Sequence, residues 1–344
     1  MDVRRLVLHK VTKDIYQTLS GMHRFRTVIT VDNSVPTFTI LPLLCKKSRY
    51  MTVLELSGLP IEKIPDAIGD LFNLRHLGLR NSKVKMLPMS VDKLSNLLTP
   101  DLARSDIHEV PSGIVKLKKL RNLFVEKKID PNWRAFKCSS GVHIASGLGN
   151  LTNLQTLRAL EAHEGSIRHL GELRQLRSLR LWNVKGIYCG RIRDSLVQMR
   201  HLSNLSVSAS DENEVLLLNV LPNLAYNGEH LAFLTGWFPK LKTLQLRDLP
   251  NLKQLDIQQG AMANLERLFL INLNSMMEVP SRIEFLMPLQ RLGFHEITNE
   301  GMKRLRYGVH YCRSRKRTDP IAHSVWDSSA FLRRHLLFVP PPLR

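Results

Sequence analysis

The sequence predicts an α/β solenoid, in which short parallel strands line one side and short helical turns line the other. Two periodic observations predict it. A six-residue apolar pattern recurs at an interval of 23 residues, beginning at Met51, Leu74, Leu97 and Leu120. A proline recurs at the same interval, at Pro65, Pro88 and Pro111. Such repetition is typical of a chain that grows by stacking units rather than by enlarging one core.

Each unit has two apolar faces. Residues such as Leu77 and Leu79 alternate with polar ones and should point to one side of a short strand. Ile64, Ile68 and Leu71 are spaced as one face of a short helix or 3₁₀ turn. Pro65 precedes the body of that turn, where a missing N–H costs least. One unit alone buries neither face, so we expect stacking to bury both in one continuous core.

The pattern continues less evenly towards the C-terminus, giving about twelve irregular repeats in all. L-x-x-L-x-L at this period is the leucine-rich-repeat signature, and it predicts a curved parallel sheet on the concave side with short helices or turns on the convex side. Pro100 replaces a core-strand leucine, so we expect a local gap in the sheet there. The predicted domains are a repeat domain over 1–298, with an irregular insertion at about 127–142 and a degenerate unit at about 210–236, and a basic, mostly disordered tail over 299–344.

Composition restricts the compartment and the partners. The chain has 50 Lys+Arg and 30 Asp+Glu, a net charge of +20, which favours acidic partners. Its apolar runs fall short of the ~18 residues of a membrane span. Four scattered cysteines without a CxxC pair are typical of a reducing compartment. We expect a cytoplasmic location, with a nuclear alternative because Arg313–Arg317 resembles a nuclear-localisation cluster.

The motif search does not favour catalysis. The sequence has no G-x-x-x-x-G-K-[ST], HExxH or GxSxG pattern, and its thirteen histidines lack metal-ligand spacing. We predict no enzymatic activity, no cofactor and no metal site.

Residues 61–77 closely resemble the repeat region of plant nucleotide-binding, leucine-rich-repeat (NLR) disease-resistance proteins, in particular the coiled-coil subclass of grasses. Residues 147–157 and 170–179 are similar to the same family. In that family a coiled coil and an ATP/ADP-binding switch precede the repeats, which restrain the switch and help to sense pathogen effectors or the host proteins they modify. This chain has neither the phosphate loop nor the coiled coil. The resemblance therefore implies only the sensing and restraining module.

The outward strand positions are the candidate protein-binding surface, since arginines beside aromatics are typical of binding hot spots. These positions are His76, Arg80, Asp101, Phe124, Glu126, Arg158, Arg180, Trp182, Gln245, Arg247, Arg267 and Phe269, continued by Arg291 and His295. We expect Trp182, Phe124 and Phe269 to point outward and favour partner contact most for Trp182. The alternative is that neighbouring loops or lost domains cover these aromatics.

The leading hypothesis is a protein-recognition module in intracellular plant immunity. It would bind a pathogen effector, a guarded host protein or an NLR switch region through its concave face, and its partner should present an acidic surface. A nucleic-acid partner is less favoured because the arginines are not interleaved with regular aromatics. The remaining alternatives are a truncated NLR remnant without independent activity and a general intracellular leucine-rich-repeat scaffold.

Overall fold

The structure of the protein is a computed structural model. It describes residues 4–8, 24–30, 37–128, 139–144, 147–210, 230–249, 251–273, 275–276 and 278–295. The chain forms two compact units, unit 1 over Met1–Leu202 and unit 2 over Ser203–Arg344. Among the described residues, none of the helices has the length and apolar character that crossing a membrane would require.

The described residues of unit 1 form a sheet of eight parallel strands, in the order β1-β2-β3-β4-β5-β7-β11-β12. Their bounds are β1 Arg5–Leu8, β2 Thr27–Thr30, β3 Val53–Glu55, β4 His76–Gly78, β5 Thr99–Asp101, β7 Asn122–Phe124, β11 Thr156–Glu161 and β12 Ser178–Val184. Four short strands pair separately: β6 Glu109–Val110 with β10 His143–Ile144 in parallel, and β8 Lys127–Lys128 with β9 Ser139–Ser140 in antiparallel fashion.

Within the described part of unit 1, short turns and three helices connect these strands. The helices are α1 Thr37–Lys47, α2 Glu164–Arg168 and α3 Cys189–Gln198. The 3₁₀ turns are Asp66–Asp70, Met89–Lys93, Ser112–Lys116, Leu148–Asn150, Leu170–Glu172 and Gly186–Tyr188.

Unit 2 repeats the arrangement with fewer strands. Its four-stranded parallel sheet has β13 Asn204–Ala209, β15 Thr243–Arg247, β17 Arg267–Ile271 and β18 Arg291–His295 in that order. A second parallel pair is β14 His230–Phe233 with β16 Gln254–Ile257, and a 3₁₀ turn spans Ile283–Phe285. Strands backed by short turns at each repeat confirm the predicted leucine-rich-repeat solenoid.

The periodic apolar residues form the core. Leu77 of β4 and its neighbours Leu74 and Leu79 are fully buried. Ile68 of the preceding turn and Leu71 directly after that turn are also fully buried. A buried leucine or isoleucine contributes about 1.5–3 kcal/mol relative to an exposed one. Because the strands of this region have only three residues, their stability depends on this stacking and not on the strand itself.

The recurring prolines begin the turns, as the sequence predicts. Pro65 is extended at φ −71° and ψ 151° and precedes the turn Asp66–Asp70. Its carbonyl accepts from the Ile68 N–H at 3.0 Å, and the Ile68 carbonyl accepts from the Leu71 N–H at 3.1 Å. Pro88 and Pro111 have the same conformation before their own turns.

Pro100 does not open a gap, so that expectation is wrong. It lies inside β5, opposite Leu77 of β4, and β5 continues on both sides of it. The pairing towards β7 is reduced to one registered pair, Asp101 with Phe124, whereas β4 and β5 share three. The backbone groups of successive strand residues form hydrogen bonds with the neighbouring strands on opposite sides. The N–H that Pro100 lacks therefore weakens the hydrogen bonding to only one neighbouring strand.

Asparagines stabilise the corners where the chain enters the strands. Asn73 Nδ2 donates to the Arg49 carbonyl at 3.0 Å, and Asn96 Nδ2 donates to the Phe72 carbonyl at 2.9 Å. Asn153 and Asn264 make the same kind of bond to the preceding repeat. Each amide satisfies a carbonyl that the strand ladder does not reach.

The predicted domain features are described only in part. The base of the 127–142 insertion is the β8–β9 pair, while 129–138 lie outside the described residues. Most of the predicted degenerate unit at 210–236 and all of the 299–344 tail also lie outside them. The degenerate unit and the tail therefore stay predictions.

Replacing Asn96 with alanine should lower the free energy of unfolding by about 1 kcal/mol, because the Phe72 carbonyl loses its donor. Urea unfolding followed by circular dichroism measures this change. The neighbouring exposed Ser95→Ala is the matched control and should stay within about 0.5 kcal/mol of the wild type. Equal effects of the two substitutions would contradict a role for the asparagine corners.

Candidate protein-interaction surface

The outward face is the set of strand side chains that point away from the core. Its positions stand side by side because the strands are parallel and in register: Val53 is opposite His76, and His76 is opposite Thr99. The next outward position runs from Glu55 through Gly78 and Asp101 to Phe124. Neighbouring members of one row lie about 4.8 Å apart, so each side chain can contact its equivalents in adjacent repeats.

The carboxylate of Glu55, on the outward face of the early repeats, is fixed by hydrogen bonds. Its carboxylate lies 2.8 Å from His76 Nε2 and accepts from the Ser57 N–H at 3.0 Å. A Cβ added to Gly78 would overlap the Glu55 carboxylate in its present position, so the carboxylate would have to move. Burial alone would raise the pKa of Glu55, but the hydrogen bonds from His76 and Ser57 outweigh it and lower the pKa to about 2.

Arg80 and Asp101 form the next pair along the face. Arg80 Nη2 lies 2.9 Å from Asp101 Oδ2, and Arg80 Nε donates to the same oxygen at 3.0 Å. The other Asp101 oxygen accepts from the Ala103 N–H at 3.1 Å. Both predicted residues lie on the face, but their charges largely neutralise each other.

Phe124 and Arg158 form a cation–π pair on the outward face of unit 1. The Arg158 guanidinium lies over the Phe124 ring at 5.4 Å from its centroid. Phe124 is half-buried and Arg158 is exposed. An arginine over a phenylalanine ring gives an attraction of about 0.5–1 kcal/mol at such a site. The sequence correctly places both residues on the outward face.

Glu126 and Arg180 are joined across an intervening strand. Arg180 Nη1 donates to Glu126 Oε1 at 2.9 Å, although β11 lies between their strands. The register of β11 against β12 shifts between Leu157 and Leu160, and the extra residue Ala159 has φ 68°. This β-bulge changes the local side-chain pattern of the middle strand.

Trp182 is buried, so the expectation that it offers an open binding aromatic is wrong. It occupies the outward position after Leu181, but only 2% of its surface is exposed. Residues 141–144 cover this end of the strand: Val142 N–H donates to the Ala159 carbonyl at 2.9 Å, and Glu161 N–H donates to the Val142 carbonyl at 3.2 Å. The covering segment follows the insertion, as the alternative prediction of loop coverage states.

Gly141 allows this segment to approach closely. A Cβ there would lie 2.7 Å from the Glu161 nitrogen and 3.0 Å from the Trp182 Cβ. The segment is also fixed by stacked imidazoles, since the His143 and His163 rings lie 4.0 Å apart at 18°. His163 accepts at Nδ1 from the Gly165 N–H at 3.2 Å, so Nε2 donates to the Ile144 carbonyl at 3.1 Å. Burial first, and His143 second, lower the pKa of His163.

Unit 2 presents a more positive outward face. Arg267 of β17 is directly opposite Arg291 of β18, and Phe269 is opposite Gly293 in the next row. Arg267 Nε donates to Thr243 Oγ1 at 3.0 Å. The described outward positions of β13, β15, β17 and β18 hold three arginines and no acid; they are Asn204, Ser206, Ser208, Thr243, Gln245, Arg247, Arg267, Phe269, Ile271, Arg291 and Gly293. The side chain of His295 lies outside the described part.

A buried polar cluster stabilises the ends of these strands. Asp248 accepts from Ser208 Oγ at 2.7 Å and from Asn272 Nδ2 at 3.1 Å. Asp248 and Asn272 both have left-handed backbone, at φ 55° and 54°. The cluster is structural, and the sequence analysis missed it. The repeated acidic or amide residue at the end of a strand, as in Leu246–Asp248 and Leu270–Asn272, was the available signal.

Glu55 was also missed, although Asp101 and Phe124 of the same row were assigned. Its signal was its position between Leu54 and Leu56. Among the described residues, no group of three or more His, Cys, Asp or Glu side chains is placed to hold a metal ion.

Residues 25–262 match the family model described as a leucine-rich repeat region. The disease resistance protein RPM1 of Arabidopsis thaliana is 31% identical over 131 residues, which are 36% of this chain and 14% of that protein. The putative disease resistance RPP13-like protein 3 of the same plant is 32% identical over 83 residues, which are 22% of this chain and 10% of that protein. The matches therefore span a small part of these relatives.

Among solved structures, an internalin from Listeria monocytogenes is similar over 84% of this chain and 78% of the internalin. The sequence identity is 16% and the TM-score is 0.48.

Glu55→Gln should remove an acid-sensitive part of the stability. Because the pKa of Glu55 falls from 4.5 to about 2 on folding, its contribution is complete above pH 4.5 and disappears as the pH falls towards 2. After allowance for its partial exposure, we expect a contribution of about 1 kcal/mol. Urea unfolding of wild type and variant should differ most at neutral pH and converge in acid. A constant difference across that range would contradict the assignment.

Gly141→Ala should lower the free energy of unfolding by about 1–3 kcal/mol, because the added methyl group meets the backbone of Glu161. Gly190→Ala is the matched control, since nothing lies within 4 Å of its Cβ position and alanine favours the helix there. Thermal unfolding of both variants measures the contrast. If Gly141→Ala were as stable as Gly190→Ala, the close cover over Trp182 would be refuted.

Proposed function

The chain belongs to the leucine-rich-repeat family, and from this premise we propose that it is a protein-recognition module in plant defence. Its plant relatives are named as disease resistance proteins, and a repeat fold of this kind serves protein interaction. The proposed binding surface is the outward face without Trp182. The observation that carries the proposal is the row of arginines beside Phe269 in unit 2.

The arginines support an acidic partner. Arg267 and Arg291 are directly opposite each other, and like charges in that arrangement destabilise a sheet. A carboxylate on a partner would relieve this repulsion and could accept bidentate hydrogen bonds. Phe269, which is half-buried beside Gly293, adds an aromatic contact next to the charges.

The outward face of unit 1 is better suited to discriminating between protein partners than to attracting a charged one. Its ion pairs, His76 with Glu55, Arg80 with Asp101 and Arg180 with Glu126, leave little net charge on the face. A partner must match this fixed alternation of signs, and a mismatch places like charges together. Phe124 under Arg158 is the candidate hot spot of unit 1.

Three partners fit this proposal: a pathogen effector, a guarded host protein and the nucleotide-binding switch region of an NLR protein. We place the interaction in the cytoplasm. A truncated remnant would show no partner-dependent effect, and a general scaffold would bind proteins unrelated to defence.

Arg291→Gln should weaken binding of an acidic partner about tenfold, because one carboxylate contact is lost. The same substitution should raise the free energy of unfolding by a few tenths of a kcal/mol, since it removes the repulsion with Arg267. Biolayer interferometry of the purified chain against candidate effectors, host proteins and NLR switch regions measures affinity, and urea unfolding measures stability.

The matched control is Lys240→Gln, an exposed charge of unit 2 that lies before the strand rather than on the outward face. It should change affinity by less than about twofold, because an exposed charge away from an interface contributes little. If every partner bound Arg291→Gln and Phe124→Ala as tightly as the wild type, the outward face would not be the recognition surface.

A further inference from the structure

The eight corners where the chain enters β2 to β5, β7 and β11 to β13 contain no acid, and six of them are positively charged. We call them the strand-entry edge, defined as residues 24–26, 48–52, 71–75, 94–98, 117–121, 151–155, 173–177 and 199–202. The edge has ten arginines and lysines and no aspartate or glutamate, whereas the whole chain has 50 basic and 30 acidic residues. All ten basic residues are exposed: Arg24, Arg26, Arg49, Arg75, Lys118, Lys119, Arg121, Arg174, Arg177 and Arg200.

The backbone aligns these charges. Arg75 N–H donates to the Thr52 carbonyl at 2.8 Å, Leu98 N–H to the Arg75 carbonyl at 2.9 Å, and Arg121 N–H to the Leu98 carbonyl at 2.9 Å. The same corner position therefore forms a row across the strands. Neighbouring strands lie about 4.8 Å apart, so Arg26, Arg75 and Arg121, on every second strand, are spaced about 10 Å apart.

The corners at the other ends of the strands differ in charge. Residues 56–63 and 102–109 include both signs, with Glu62 beside Lys63 and Asp106 close to Arg104, whereas 79–86 has basic residues alone. The outward face also has both signs, in ion pairs such as Arg80 with Asp101. Taken together, the corners of the strand-entry edge therefore combine positive charge with the absence of acids, which the opposite corners do in only one of these three repeats. Aligned charges of one sign repel one another and create a strong local potential for anions.

Two aromatic side chains project from the same edge. Tyr50 is 57% exposed and Phe72 is 47% exposed, on adjacent corners beside Arg49 and Arg75. Exposed aromatics of this size leave apolar area in water. At a membrane–water interface such rings are stabilised, because one part is apolar and the surroundings of the headgroups are polar.

We propose that the strand-entry edge is a second binding surface, which docks on the anionic surface of a lipid bilayer. Lysines and arginines near such a surface attract it by summed charge and need no fixed partner. A single nucleic-acid strand would stack its bases on aromatics along the groove, but the exposed aromatics here are confined to two adjacent corners. The outward face points away from the core, so the proposed protein partner and the bilayer use different residues.

Co-sedimentation of the full chain with lipid vesicles tests this proposal. The vesicles contain phosphatidylcholine with about one third phosphatidylserine, or phosphatidylcholine alone. The chain should bind the anionic vesicles more tightly by at least about tenfold, and salt that reduces the Debye length to about 3 Å should release it. Failure to bind the anionic vesicles would overturn the proposal.

The triple variant Arg26→Gln, Arg75→Gln and Arg121→Gln should lower the partition coefficient at least about tenfold. The matched control changes three exposed lysines of the other corners, Lys63→Gln, Lys83→Gln and Lys85→Gln, so that net charge falls equally. Equal losses in the two variants would show that overall charge binds the vesicles, and would overturn the edge as the site.

Two further arms complete the test. Tyr50→Ser with Phe72→Ser should weaken vesicle binding about tenfold without any change in charge; unchanged binding would overturn the role of the aromatics.

If the chain bound single-stranded RNA but not vesicles, and the arginine variant lost that binding, the edge would be a nucleic-acid surface. Arg291→Gln should leave vesicle binding unchanged, so failure of this proposal and failure of the protein-recognition proposal are distinguishable.

Discussion

The structure depends on one constraint: no repeat of this chain can bury its own apolar faces. A three-residue strand such as His76–Gly78 and a turn such as Asp66–Asp70 offer too little contact to be stable alone. Leu77 and Ile68 are completely buried only because equivalent residues of the adjacent repeats cover them. Register then follows, because a shift of one residue would place the leucines outside and the charges inside.

In-register stacking turns each sequence position into a row, and each row has its own physical character. The row of Asn73 and Asn96 satisfies corner carbonyls. The outward rows of unit 1 alternate in sign and form ion pairs, whereas the corner row of Arg75 and Arg121 has one sign only. Each row therefore has its own charge, and the basic and acidic residues of the described repeats are segregated by row.

The periodic features could be predicted from the sequence because they depend on local spacing. The strands and the outward positions of residues such as Phe124 and Arg158 follow from the L-x-x-L-x-L pattern, and the proline-initiated turns follow from the interval of 23 residues. The burial of Trp182 could not, since its cover is a segment about forty residues earlier in the chain that pairs beside the bulge at Ala159. The asparagine row was missed, although Asn73 and Asn96 recur at the same interval of 23 residues.

The exceptions to the repeat also decide where recognition can occur. The segment at Gly141 removes one aromatic from the outward face, so Phe124 in unit 1 and Phe269 in unit 2 are the aromatics left beside arginines there. The bulge in β11 lets Arg180 reach Glu126 across the middle strand, which neutralises a charge that would otherwise face a partner. Attraction for an acidic protein is thereby concentrated on Arg267 and Arg291, while the strand-entry edge keeps its charge because its corners contain no acid. Two surfaces with separate chemistry can thus arise on one stacked core, since substitution in one row leaves the leucines beneath it unchanged.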